Sequence, residues 1–159
     1  MKEYISIALA FFAFTVSASA QSPDRSKGQG YVFFAPAVGN INRGYGDVNI
    51  HAGFGGEGFV YKGLGLGAEI GGVGKSYVIG LGSANFSYHL FPRTKDRNLE
   101  PFVTAGYSMF FRAGTFHGYN AGGGINVWLN KALAMRFEIR NQHSHYYEAV
   151  SFRIGLTFR

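Results

Sequence analysis

Several stretches of the chain carry residue types that bind phosphate, metal or substrate, and spacing decides what each one is able to do. Residues 69–76, EIGGVGKS, end in the Gly-Lys-Ser of a phosphate-binding loop. Such a loop also needs a glycine at position 69, so that backbone N–H groups cradle phosphate at the start of a helix. Position 69 is Glu69, whose carboxylate repels phosphate, and the following SYVIGLGSANFSYHLF has the look of a strand. GGVGKS, residues 71–76, is therefore expected to be the tip of a surface hairpin, with its glycines allowing tight positive-φ turning. Residues 53–58, GFGGEG, match G-x-G-x-x-G. A dinucleotide site needs a helix after that motif, but Phe59-Val60-Tyr61 continues a strand. No nucleotide is implied.

Residues 141–149, NQHSHYYEA, bring together His143, Ser144, His145 and Glu148. A lipid-acting hydrolase needs its base within hydrogen-bond reach of the nucleophile. On a strand Ser144 points away from both neighbouring histidines, so the trio works only if a loop resets the geometry. His143 and His145 do share a face and could meet His117 from a neighbouring loop around a metal ion. No carboxylate has an obvious place in that sphere, and histidines among tyrosines at a membrane rim are expected as interfacial residues. The chain has no cysteine and no zinc-type Cys/His spacing. No cofactor or metal is expected.

A more informative set is ionic. Glu57, Glu69, Arg136, Glu138, Arg140 and Arg153 lie in segments of period-two alternation, each on the face opposite the apolar residues. Three acids meet three bases, a balanced set. If that face lines the interior of a small barrel, these charges must pair, since an unpaired buried charge carries a heavy desolvation cost. The expected result is an ion-paired plug filling the lumen. The alternative is a switchable gate, in which one glutamate trades arginine partners to admit ions.

The elements that would hold this set are legible from the same alternation. Val150, Phe152, Ile154, Leu156 and Phe158 oppose Ser151, Arg153, Gly155, Thr157 and Arg159. Leu133, Met135, Phe137 and Ile139 oppose Ala134, Arg136, Glu138 and Arg140. Residues 101–111 and 119–129 behave alike. The glycine-rich first half keeps the rule over residues 48–60, 64–71 and 78–90, although Ile79 and Leu81 blur one end. Residues 30–38, GYVFFAPAV, are apolar on both faces, leaving their register open. Eight strands of about ten residues result, the length a tilted strand needs to cross a bilayer. Closing the sheet leaves no unpaired edge in lipid. One set of turns is expected near Tyr61 to Gly63, Pro92 to Leu99 and Asn130-Lys131. Opposite loops are expected near Gly39 to Asp47, Gly72 to Ser76, Arg112 to Gly118 and Gln142 to Tyr146. Tyr61, Phe91, Trp128 and Tyr146 would form interfacial girdles.

The first 20 residues, MKEYISIALAFFAFTVSASA, have one early lysine, an apolar run and a small-residue cleavage site, the anatomy of a secretory signal peptide. Residues 21–27 are read as a periplasmic lead-in and residues 28–159 as the barrel. The formal net charge of +6 is spread along the chain rather than clustered, which suits an acidic membrane surface better than nucleic acid.

With the leader and eight amphipathic strands on the page, the closing stretch YNAGGGINVWLNKALAMRFEIRN…FRIGLTFR resembles the small outer-membrane β-barrel family that includes the transmembrane domain of outer-membrane protein A. One departure is that Phe158 is followed by Arg159 where that family usually ends on the aromatic. The resemblance implies an all-β, eight-stranded antiparallel up-and-down transmembrane barrel in the bacterial outer membrane. It also implies partners: outer-membrane lipids, lipopolysaccharide and the barrel-assembly machinery. The expected role is structural, in the envelope, without enzymatic chemistry. A narrow ion or small-solute pore is the alternative and a lipid-acting hydrolase a third. A soluble lipocalin-like barrel is the non-membrane rival, and it would invert every face assignment.

Overall fold

Strict alternation of apolar and polar side chains over ten or more residues gives each strand one face for hydrocarbon and one for a polar interior. In the computed structural model the described residues are 28–41, 47–61, 63–74, 78–90, 98–112, 114–145 and 147–159. The leader and lead-in fall outside them. Eight strands follow in order: β1 (Gly28–Ile41), β2 (Asp47–Tyr61), β3 (Leu64–Gly74), β4 (Val78–His89), β5 (Leu99–Phe111), β6 (Thr115–Trp128), β7 (Leu133–Ser144) and β8 (Tyr147–Phe158). Every sequential pair is antiparallel and β8 returns to β1, closing the barrel. One end carries both termini of the barrel and is termed proximal; the other is distal.

The exterior is the apolar face. Phe152, Ile154 and Leu156 are 54%, 55% and 43% exposed, whereas Arg153 between them is 1% exposed. That arrangement excludes the lipocalin-like rival, whose apolar side chains would fill the centre. The open register of β1 is resolved likewise: Tyr31, Phe33, Ala35 and Ala37 point inward, Val32, Phe34 and Val38 outward.

Two corrections concern strand ends. The strands run further into the distal loops than expected, so β3 includes Gly72 to Gly74 and β6 begins at Thr115. Gly71, Gly72 and Gly74 are thus strand residues rather than turn residues, and Lys75 and Ser76 lie outside the described residues. Among the described residues the glycine with positive φ is Gly63, at 93°, in the proximal β2–β3 turn. Elsewhere glycine serves close approach: a Cβ on Gly55 would stand 2.7 Å from the ring of Tyr31. The motif GFGGEG lies wholly within β2.

Candidate functional site: the barrel lumen

Inward residues of β1, β2, β3, β7 and β8 build an ionic layer in the middle of the barrel. The inward parity of β7 aims Arg136, Glu138 and Arg140 at the axis in succession. Arg136 Nε donates to Glu138 Oε2 at 3.0 Å, and Arg140 Nε donates to the other oxygen of the same carboxylate. From β8, Arg153 Nη1 donates to Glu69 Oε2 at 2.9 Å. Tyr31 from β1 donates to the same oxygen at 3.3 Å. Arg140 also reaches Asn120 Oδ1 at 2.8 Å. Rings complete the solvation of the guanidinium groups: Arg136 lies 4.3 Å from the Tyr31 ring and 3.9 Å from Phe102, and Arg153 lies 4.2 Å from Phe33. All six sequence-derived charges sit in the lumen, none more than 8% exposed.

The set was incomplete. A second cluster occupies the proximal mouth and centres on Glu100 and His89, both buried. His89 Nδ1 lies 2.8 Å from Glu100 Oε1 and Nε2 lies 3.1 Å from Glu57 Oε2, a geometry that suits an imidazolium donating from both nitrogens. Glu57 also accepts from Gln29 Nε2 at 2.8 Å and from the Ser87 hydroxyl. Arg136 Nη1, 3.7 Å from Glu57 Oε1, links the two clusters. Glu100 further accepts from Asn126 at 3.2 Å, from Trp128 Nε1 at 3.0 Å and from Arg159. The Arg159 guanidinium covers the Trp128 ring at 3.9 Å. Trp128 is therefore a mouth residue tied into the lumen rather than a girdle residue. Phe91 and Tyr146 lie outside the described residues.

Towards the distal end one side of the interior is apolar, while buried Asn49 and His51 from β2 and Gln142 and Ser144 from β7 keep the other side polar. Val73, Ile79, Leu81, Phe110, Tyr147 and Ala149 form one buried cluster, with Phe116 packed against it. The breakdown of alternation at Ile79 and Leu81 is the local signature of this cap.

The candidate hydrolase trio is not assembled. Ser144 is buried on the interior side and its Oγ accepts the backbone N–H of Tyr147 at 3.0 Å. His143 lies on the outer surface, stacked on Tyr119 with centroids 4.9 Å apart and with Nδ1 3.7 Å from Glu148 Oε1. His117 stacks on Tyr107 at 5.8 Å, with its Nδ1 hydrogen-bonded to the Tyr107 hydroxyl. The three histidines considered for a metal do not converge: among the described residues no group of three or more His, Cys, Asp or Glu is placed to hold one.

A closed eight-stranded antiparallel barrel with an apolar exterior has the fold of the small outer-membrane barrels, as superposition on solved structures shows. The N-terminal β-barrel domain of Pseudomonas aeruginosa OprF superposes with a TM-score of 0.60 at 16% identity, covering 82% of this chain and 98% of that one. Neisserial surface protein A gives a TM-score of 0.65 at 12% identity, covering 84% and 97%. A barrel from the de novo design of transmembrane β-barrels gives 0.62 at 18% identity, covering 87% and 97%. At these identities the likeness is one of fold. No protein-family model and no curated protein matches the sequence.

Proposed function

We propose that the chain is an integral outer-membrane barrel whose lumen is closed, and that it serves the structure of the envelope rather than transport or chemistry. Its proximal end would face the periplasm and its distal loops the exterior. The membrane reading is supported by the belt of exposed Val, Leu, Ile and Phe side chains on seven strands, continued by Tyr119 on β6, a surface that water solvates poorly and hydrocarbon solvates well. Outer-membrane lipids and lipopolysaccharide would contact that belt, and the barrel-assembly machinery would insert it.

The observation that carries the closed lumen is the stacking of two different seals. The distal cap of Val73, Ile79, Leu81, Phe110 and Tyr147 fills much of the distal lumen with apolar side chains, packed beside buried His51 and Gln142. Below it Arg136, Arg140 and Arg153 hold Glu69 and Glu138 in a contiguous layer. A switch of partners within the ionic layer leaves the cap in place, so the gate would need two separate rearrangements. An eight-stranded barrel offers only enough width for its own side chains. Purified protein in planar bilayers is expected to give no steady, large conductance. A persistent open state of large conductance would overturn the closed-lumen reading.

A further inference from the structure

Above the ionic layer the lumen contains buried donors that the protein itself does not satisfy. Four side chains there end in atoms that meet no hydrogen-bond partner among the described residues: His51 Nε2, Arg153 Nε, Gln142 Nε2 and the Tyr147 hydroxyl. None of the four residues is more than 4% exposed. They belong to one region. Arg153 Nη2 lies 3.4 Å from His51 Nδ1. His51 is the register partner of Val73, and Gln142 that of Ala149. Val73, Ala149 and Tyr147 in turn pack in the same apolar cluster. The wall on the β8–β1 side carries short side chains: Ala35 is the partner of His51, and Ala37 the partner of Ser151. Those three are fully buried and point inward, which spares lumen width beside the donors.

We propose that these donors hold a small monovalent anion of the halide class inside the barrel, beside Arg153 and beneath Tyr147. The site requires only the barrel interior and does not depend on the envelope role proposed above. A guanidinium donates and never accepts, so His51 Nδ1 accepts from Arg153 and Nε2 carries the ring's proton. Arg153 Nε and the Tyr147 hydroxyl add two more donors. The Gln142 amide has no partner at either end, so it can turn its NH2 towards the ion. The unpartnered acceptors are Gln142 Oε1 and Glu69 Oε1, the latter on a carboxylate that Arg153 Nη1 already engages. One water accepts too few hydrogen bonds to serve all four donors, whereas a halide accepts from every side. Charge points the same way. Arg136, Arg140 and Arg153 face Glu69 and Glu138. The third acid, Glu57, stands 3.7 Å from Arg136 and is shared with His89. An anion beside Arg153 offsets the positive excess of that layer and pairs donors whose burial is otherwise costly. The ion would enter as the barrel closes during folding.

The test is to refold the full chain in detergent with sodium bromide, crystallise it and collect diffraction at the bromine absorption edge. An anomalous peak is expected within hydrogen-bond distance of Arg153 Nε and His51 Nε2. In solution, bromide should raise the thermal midpoint of the refolded chain relative to gluconate at equal ionic strength. Tyr147→Phe removes one donor and keeps the ring. It should need about tenfold more bromide for the same rise, as expected for loss of a hydrogen bond to a charged group. Gln142→Leu should act in the same direction, and Glu148→Gln, on the outer surface, should match wild type. Water alone at that position, with no anomalous peak, would overturn the site. So would a response to bromide that is the same in wild type, Tyr147→Phe and Gln142→Leu.

Discussion

At the scale of single residues, Glu138 is the hinge of the lumen. Its two oxygens accept from Arg136 and Arg140, and Arg153 Nη1 lies 3.8 Å away. Charges this far from water are tolerated because each acid is shared by several bases, and removing the shared acid leaves the bases to repel one another. Glu138→Gln is therefore expected to destabilise the barrel by about 3–5 kcal/mol, the cost of leaving buried charge uncompensated. Glu148→Gln removes an exposed carboxylate and should cost less than about 1 kcal/mol. Urea unfolding followed by fluorescence separates the two, with the chain's single tryptophan as the reporter in the proximal mouth. Equal midpoints for the two variants would contradict the shared-acid account. Alternation tells which face a residue occupies but not which distant residue it meets. The pairing of Arg159 with Glu100, 59 positions apart, had no local signal. Glu100 escaped notice for a different reason: Pro101 beside it marks a natural strand start, and β5 begins two residues earlier, at Leu99.

At the scale of elements, glycines and prolines shape the sheet. Pro36 lacks an N–H, and the β1–β8 pairing skips from Phe34↔Ile154 to Ala37↔Ser151 around it. Pro101 sits one residue beyond the His89↔Phe102 end of the β4–β5 register, where a missing donor costs least. The number of strands and their faces were legible because a period of two survives wherever one side meets lipid. Where both sides are apolar, as in β1 or at Ile79 and Leu81 under the distal cap, the pattern loses its contrast. That the first half is rich in glycine was legible, but not which glycine a neighbouring ring crowds. Gly55→Val would push a branched side chain into the Tyr31 ring and the Ala68 carbonyl, 2.7 and 2.8 Å from the new Cβ. A loss of about 1–3 kcal/mol is expected. At Gly82 the nearest atoms, on Phe111, are 3.5 Å away, an ordinary contact. Gly82→Ala should be neutral or stabilise by up to about 1 kcal/mol through the unfolded chain. Unfolding midpoints that rank these two in the opposite order would show that the barrel's curvature does not depend on Gly55.

At the scale of the whole molecule, the decisive quantity is the solvent the exterior requires. Leu, Ile, Val and Phe side chains around half exposed on seven of the eight strands, with Tyr119 on β6, would make a water-soluble barrel aggregate, whereas in a bilayer the same surface is the stabilising one. The consequence is a depth dependence that no soluble barrel shows. Ile154 lies midway along β8, while Val78 opens β4 at the distal rim, and both face outward. An arginine at the bilayer midplane costs about 2–4 kcal/mol and one near the interface about 0–1 kcal/mol. Ile154→Arg should therefore lower stability in lipid vesicles by several times as much as Val78→Arg, although the two sites are similarly open to their surroundings. In a soluble barrel both arginines would point into water, and both substitutions would be tolerated alike. Matched unfolding titrations in vesicles decide between these outcomes: a large gap places the belt in hydrocarbon, and equal small effects would remove the barrel from the membrane.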